Sequence, residues 1–200
     1  MLRIRGAGTA AGDKRRAGDA CDAGHRAVAA GGVIVGVMSD YRRVRVPGGC
    51  YFFTVNLAER GDNGLLVRHW PVLRAVIAAV RAKRPFRIDA FVVLPDHLHG
   101  IWTLPEGDDD IAVRWMLIKT GFSRRLPPGE PRSASRRRRG ERGIWQRRFW
   151  EHAIRDDHDF AAHVDYVHFN PVRHGYVAEP EAWPYSTFLK MVHRGNIGCC

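Results

Sequence analysis

Two histidines separated by one residue are the side chains whose spacing most directly suggests chemistry in this sequence. His97 and His99 flank Leu98 in a run that is typical of a β-strand, and side chains along a strand alternate between its two faces. The two imidazoles are therefore expected on one face, where they could hold a metal ion. The pair alone does not distinguish a metal site from histidines that pack or form hydrogen bonds on a half-buried strand.

A tyrosine and an asparagine one helical turn apart form the second candidate group. Residues 158–170 have the spacing of an amphipathic helix. A face separate from its apolar stripe carries Asp159, His163, Tyr166 and Asn170. Pro171 disfavours helical geometry at the preceding residue, so we expect Asn170 at the helix end, projecting together with Tyr166. A helix tyrosine more commonly buries its ring and exposes its hydroxyl, so the pattern alone leaves the role of Tyr166 open.

The elements that must position these groups follow the order β-α-β-β-α. Strands are predicted at 51–57, 86–94 and 97–104, and helices from Pro71 to about 84 and after the acidic residues 106–110. This order predicts an α+β fold of the ferredoxin-like split βαβ type with a central antiparallel sheet. Residues 86–104 are expected to form the middle of that sheet. A last strand is predicted at 144–154, and the helix that carries Tyr166 follows it.

The charge of the chain suggests a polyanionic partner. Its 200 residues have a formal net charge of +11, which favours nucleic acid, with an anionic membrane surface as the alternative. Candidate nucleic-acid contacts are Arg42, Arg43, Arg45, Arg136, Arg137, Arg138, Arg139, Arg147, Arg148, Trp183 and Tyr185. The arginine run could instead be a solvated surface, and the two aromatic residues could pack back onto the domain.

The domain organisation follows from composition. Residues 1–37 are predicted to be a flexible basic extension, residues 38–188 one domain with a mobile basic loop at 123–143, and residues 189–200 a tail. The four cysteines show no CxxC spacing, which argues against a zinc site or a disulfide framework and fits a reducing cytoplasm. No apolar run reaches the about 18 residues needed to span a bilayer. We therefore expect a cytoplasmic, nucleoid-associated protein with no membrane partner.

Several motifs together resemble the single-tyrosine HUH transposases, and most closely the REP-associated tyrosine transposases. The similar stretches are residues 93–99, 101–106, 148–152, 164–172 and 183–188. The resemblance implies that His97 and His99 are metal ligands and that Tyr166 is the nucleophile. Related transposases often use a glutamine one turn after the tyrosine as the third ligand, and Asn170 stands at that place here, as it does in the REP-associated branch.

The resemblance also implies a function. It is that of a metal-dependent single-stranded DNA endonuclease and strand transferase, which acts at hairpin, REP-like palindromic DNA through a 5′-phosphotyrosine intermediate. The implied cofactor is Mg²⁺ or Mn²⁺, and the implied partner is single-stranded or hairpin DNA. The sequence does not decide between a monomer and a weak dimer. Two alternatives remain: a hairpin-binding protein without useful catalysis, and another histidine–metal enzyme such as a small-molecule hydrolase, for which acidic ligands or a His-Glu pattern are lacking.

Overall fold

Four antiparallel strands form the centre of the fold in the computed structural model, which describes residues 45–59, 63–130 and 132–193. The strands are β1 (Cys50–Asn56), β2 (Arg87–Val93), β3 (His97–Thr103) and β4 (Trp150–Ala153). They lie in the order β2-β3-β1-β4, and each neighbouring pair is antiparallel. This order is that of a ferredoxin-like split βαβ unit, so the predicted fold class is confirmed.

Helices cover both faces of the sheet. They are α1 (Leu65–Arg68), α2 (Trp70–Lys83), α3 (Ile111–Arg125), α4 (Ala134–Arg138), α5 (Asp157–Arg173) and α6 (Phe188–Val192), with a 3₁₀ turn at Pro180–Ala182. The larger core joins α2 and α3 to one sheet face, which includes Leu98 and Trp102 of β3. The smaller core joins α5 to the other face through Val164 and Val167. Because strand side chains alternate, the histidines that flank Leu98 lie on the α5 side.

The helix that carries Tyr166 extends further than its sequence predicts. It passes through Pro171 and includes Asn170 in its interior, so the expected helix end at Asn170 is wrong. Gly175 determines the actual end: its φ of 71° is a left-handed conformation that glycine adopts at little cost. The N–H groups of Gly175 and Tyr176 donate to the carbonyls of Val172 and Pro171 at 2.9 and 3.0 Å, which is the Schellman pattern.

The expectation that residues 86–94 lie in the middle of the sheet is also wrong, because β2 is an edge strand. Its outer edge is covered by a segment that returns from the C-terminal side. The N–H of Val93 donates to Tyr185 O at 2.9 Å, and the N–H of Thr187 donates to Phe91 O at 2.8 Å. This cover explains why β2 is as apolar as a central strand.

The predicted last strand at 144–154 is shorter than expected. Only Trp150–Ala153 pairs continuously with β1, whereas Trp145 forms an isolated bridge with Leu57. Between them Gln146 donates its N–H to Asn56 O at 3.0 Å, and the chain then leaves the ladder. The polar and basic residues 146–148 have no apolar alternation that would require a continuous half-buried strand.

The basic segment at 123–143 contains more structure than the predicted loop. Its first three residues complete α3, and it includes the short helix α4. Arg142 anchors the segment through a 2.7 Å bond from Nη2 to Glu130 Oε2 and bonds to the carbonyls of Ser123, Leu126 and Pro127. A guanidinium has five donors, which lets one side chain fix several turns of irregular chain.

The predicted extension at 1–37 lies outside the described residues, and the end of the tail from 194 onward does too. Within the described part of the chain, no helix has both the length and the apolar character needed to cross a membrane.

Candidate active site

His97 and His99 lie on β3, on the face that α5 covers. They expose 3% and 2% of their surface, and their ring centroids are 5.0 Å apart. The period of two along the strand thus brings the two imidazoles together, as the spacing predicts.

Each of these imidazoles has a hydrogen-bond partner on its Nδ1 atom. Nδ1 of His97 lies 2.6 Å from Oδ1 of Asp96. Because a carboxylate only accepts, this nitrogen carries the proton and the lone pair of the neutral ring lies on Nε2. Nδ1 of His99 lies 2.9 Å from the hydroxyl of Thr54, which can accept in the same way. Metal-binding histidines characteristically have one nitrogen oriented by such a partner while the other binds the ion.

Tyr166 lies beside this pair, half-buried on α5. Its ring centroid is 5.1 Å from that of His99 and 5.7 Å from that of Phe52. The Arg173 guanidinium lies 5.2 Å over the Tyr166 ring. Sequence reasoning missed Arg173, although its offset of seven residues from Tyr166 places both on one helix face.

Asn170 is one helical turn beyond Tyr166 and is 2% exposed. Its Oδ1 atom is buried and has no hydrogen-bond partner among the described residues. A buried acceptor without a partner costs about 1–3 kcal/mol, and such atoms in native proteins commonly indicate a functional group or ion. Two imidazole nitrogens and an amide oxygen are donors that suit a divalent cation such as Mn²⁺ or Mg²⁺. In the type of their donor atoms, these residues therefore fit the divalent cation that the family resemblance implies.

A second cluster in the same region could also hold a metal ion. Donor atoms of His152, Asp159 and His163 all lie within 4.8 Å of one another. Sequence reasoning placed Asp159 and His163 on the Tyr166 face of the helix but did not connect them with His152, which belongs to β4. That connection depends on tertiary structure, because β4 and α5 meet only when the helix docks on the sheet.

Hydrogen bonds already occupy the carboxylate of this cluster. Oδ2 of Asp159 accepts from Nε2 of His152 at 2.8 Å and from both the backbone N and Nε of Arg155 at 3.1 Å. The bond from His152 is the main reason that the pKa of the Asp159 carboxyl lies well below its usual range, and Arg155 adds to the effect. Asp159 is therefore held as a carboxylate that links β4 to α5.

The predicted DNA contacts lie on separate elements. Arg136, Arg137 and Arg138 belong to α4, and Arg139 follows it. Arg148 is exposed, whereas Arg147 pairs with Glu141 at 2.9 Å and Arg45 with Asp109 at 3.5 Å. Arg42 and Arg43 lie outside the described residues.

The two predicted aromatic contacts pack against the domain. Trp183 and Tyr185 are half-buried, and the indole N–H of Trp183 donates to Val93 O at 2.9 Å. Their packing on the edge of β2 accounts for their aromatic character without a ligand.

Comparison with known proteins identifies close relatives. A REP-associated tyrosine transposase of Escherichia coli K12 is 49% identical over 158 residues, which cover 79% of this chain and 87% of the relative. A Haemophilus influenzae protein described by the same family name is 46% identical over 157 residues, which cover 78% of this chain and 88% of the relative. No protein-family model matches the chain.

A solved structure supports the same assignment. The REP-associated tyrosine transposase bound to a REP hairpin has a TM-score of 0.69 and 48% sequence identity, over 80% of this chain and 89% of the solved one. On the identity and the shared fold together, this chain belongs to the REP-associated tyrosine transposases.

Proposed function

We propose that this protein is a metal-dependent single-stranded DNA endonuclease and strand transferase that acts at hairpin DNA through Tyr166. The observation that carries the proposal is the 5.1 Å approach of the Tyr166 ring to His99, with Asn170 one turn along the same helix. Membership of a transposase family supports a DNA-cleaving activity, and the relative bound to a REP hairpin supports hairpin DNA as the partner.

In the proposed reaction the phenolic oxygen of Tyr166 attacks the phosphorus of one phosphodiester linkage. The bond from phosphorus to the 3′ oxygen breaks, the phenol loses its proton, and the departing 3′ oxygen takes one up. The products are a 5′-phosphotyrosyl strand and a free 3′-hydroxyl. A 3′-hydroxyl that later attacks the phosphotyrosine rejoins the strands, and no nucleotide cofactor is needed because the covalent link conserves the energy of the phosphodiester.

His97, His99 and Asn170 would hold the cation, Mg²⁺ or Mn²⁺. When bound, a divalent cation supplies positive charge where negative charge accumulates on the reacting phosphate. Asp96 and Thr54 orient the two imidazoles through their Nδ1 atoms. Their contribution is to fix the ring planes before the substrate arrives, so that no reorganisation is needed during the reaction.

Arg173 would contribute a second positive charge. Its guanidinium lies 5.2 Å over the Tyr166 ring, and from there we expect it to pair with the phosphate that the phenolic oxygen attacks. A guanidinium can donate two parallel hydrogen bonds to phosphate oxygens, and such fixed donors stabilise the charge that develops in the transition state.

We assign the cation to the histidines of β3 rather than to the cluster around Asp159. One oxygen of Asp159 already accepts from His152 and from two donors of Arg155. A cation there would have to displace or be repelled by the guanidinium. Asn170, in contrast, has a buried oxygen that a cation would satisfy.

The test uses hairpin-bearing single-stranded DNA with a label at its 3′ end. With Mn²⁺ or Mg²⁺, wild-type protein should carry the label on a denaturing gel, and Tyr166→Phe should not. Tyr176→Phe, which removes the hydroxyl of an exposed tyrosine, is the matched control and should still form the adduct. Equal adduct formation by Tyr166→Phe would show that another residue is the nucleophile.

The cation is tested in the same assay. A chelator, or alanine at both His97 and His99, should abolish the adduct, while His158→Ala at an exposed position of α5 should not. If Asp159→Asn changed the Mn²⁺ dependence and the β3 variants left it intact, the cation would belong to the second cluster instead.

Recognition of the hairpin is measured separately as binding. Destroying base pairing in the stem at constant base composition should weaken binding if the structure of the hairpin is recognised. Affinity that depends only on strand length and salt would show that binding is mainly electrostatic.

A further inference from the structure

Trp150 is exposed although it lies next to the candidate active site. It begins β4 and exposes 51% of its surface. The ring of Phe52 is 5.6 Å from that of Trp150 and 5.7 Å from that of Tyr166, so a single aromatic ring separates the exposed indole from the candidate nucleophile. Contact of so large an apolar ring with water is unfavourable, and a ligand that covers it would remove that cost.

The indole is supported from behind by a stack of rings. Trp150 and His152 are two residues apart on a strand and share a face. Their rings are nearly parallel, at 7° and a centroid distance of 6.1 Å. His152 in turn stacks on His163 at 15° and 4.8 Å. The exposed ring is therefore the outermost of three parallel rings.

Hydrogen bonds fix the two inner rings. Nε2 of His152 donates to the Asp159 carboxylate at 2.8 Å, and Nδ1 of His163 lies 2.8 Å from the backbone carbonyl oxygen of Asp159. Arg155 donates to the same carboxylate. A ring that is already held in position loses little conformational freedom when a ligand binds to it.

The charge around Trp150 indicates what covers it. Arg148 is exposed, and the Arg155 side chain is 75% exposed while its Nε reaches Asp159. Arg148 is two residues before Trp150 in the chain, and Arg155 pairs with the carboxylate that holds the ring stacked on this indole. An exposed aromatic ring with cationic side chains so close along the chain suits a nucleotide, whose base stacks while its phosphate pairs with a guanidinium. An apolar protein surface would instead have to bury these charges without partners, which is strongly unfavourable.

We propose that Trp150 is the stacking platform for one unpaired base of the DNA strand that Tyr166 attacks. The inference rests on the proposed function and adds a nucleobase-binding subsite to it. Because Phe52 contacts the rings of both Trp150 and Tyr166, we expect the stacked base to belong to a nucleotide close to the linkage that Tyr166 attacks. Holding that base restricts where the phosphorus lies relative to the phenolic oxygen, and small errors in such positioning reduce rates strongly.

The first experiment measures binding of hairpin DNA with unpaired flanks to full-length protein that carries Tyr166→Phe, so that cleavage does not interfere. Adding Trp150→Ala should weaken binding by about 5- to 150-fold, the range expected for loss of one stacked base. Trp150→Phe should retain most of the affinity, whereas Trp150→Leu, which is apolar but has no aromatic face, should behave like alanine. Met116→Ala, at a 54% exposed position of α3, is the control and should bind normally.

The second experiment identifies the base. Each unpaired nucleotide is replaced in turn by an abasic one. At one position, the abasic change should weaken binding by the protein that retains Trp150 as much as Trp150→Ala weakens binding of the intact DNA. Combining the abasic change with Trp150→Ala should weaken binding no more than either change alone. Normal binding by Trp150→Ala, equal binding by the phenylalanine and leucine variants, or losses that multiply at every position would each overturn the proposal.

These binding experiments are independent of the nucleophile. Suppose that the wild-type protein formed no covalent adduct, but that the contribution of one base to binding still required Trp150. The proposed cleavage would then be wrong and the subsite would stand. If the adduct formed and the Trp150 variants bound normally, the subsite would be wrong and the cleavage would stand.

Discussion

Replacing Asn170 by leucine should stabilise the metal-free protein while removing its activity. The amide is 2% exposed, and its Oδ1 has no hydrogen-bond partner in the described part of the chain. Leucine has a similar size, so it would fill the space without leaving a large cavity. The substitution thus removes a buried polar group that the metal-free fold does not satisfy.

The expected magnitude follows from the cost of that group. An unsatisfied buried acceptor costs about 1–3 kcal/mol, so the free energy of unfolding of metal-free Asn170→Leu should exceed that of the wild type by up to this amount. A cation that binds only the folded state adds about 2.7 kcal/mol at a concentration of 100 times its Kd. The wild type should gain this increment and the variant should not, so saturating metal should remove or reverse the difference between them.

Urea unfolding of both proteins, with chelator and with a series of Mn²⁺ concentrations, measures both quantities. His158→Ala, at an exposed position of the same helix, should respond to Mn²⁺ as the wild type does. The expected stabilisation is refuted if metal-free Asn170→Leu is clearly less stable than the wild type, since the amide would then contribute to the fold. The proposed role of Asn170 as a cation ligand is refuted if the variant gains as much stability from Mn²⁺ as the wild type.

Two further substitutions test the contacts around the site and the basic segment. Asp96→Asn removes the charged acceptor 2.6 Å from His97 Nδ1 and should lower the apparent Mn²⁺ affinity by about 10–100-fold. Adduct formation should recover at high Mn²⁺, and an unchanged Mn²⁺ dependence would contradict the assigned orientation of this histidine. Glu130→Gln should lower the Tm at neutral pH, because the hydrogen bond with Arg142 holds the pKa of Glu130 at about 2. This stabilisation is complete above the ordinary pKa of about 4.5 and is lost as the pH falls toward 2, so the Tm difference from the wild type should shrink over that range, and a constant difference would refute it.

The features that could be predicted from the sequence depend on local periodicity. The alternation in β3 places His97 and His99 on one face, and the helical spacing places Tyr166 one turn before Asn170. The order of these elements then leads to the ferredoxin-like arrangement, because few topologies satisfy it with short connections. That arrangement packs the helix of Tyr166 against the sheet face that carries His97 and His99, where the rings of Tyr166 and His99 are 5.1 Å apart.

The features that could not be predicted depend on contacts between distant parts of the chain. β2 looks like a central strand because Tyr185 and Thr187, more than 90 residues later, cover its edge. The contact of His152 with Asp159 requires β4 and α5 to be docked, and the contact of Phe52 with Tyr166 likewise requires α5 to be docked on β1. The passage of α5 through Pro171 likewise reflects packing and the cap at Gly175, which outweigh the local preference of a residue before proline.

Both ends of α5 are fixed by specific contacts. This matters because the residues of the candidate site are divided between the sheet and this one helix. His97 and His99 belong to a sheet that α2 and α3 support from its other face, whereas Tyr166, Asn170 and Arg173 all belong to α5. The distance from the proposed nucleophile, Tyr166, to the two histidines is thus set by how one helix docks. Asp159 ties the start of that helix to β4, and the glycine cap closes its end. Because a displacement of about 1 Å can cost 10²-fold in rate, we expect substitutions of the residues that dock α5 to lower the proposed activity even though these residues do not touch the phosphate.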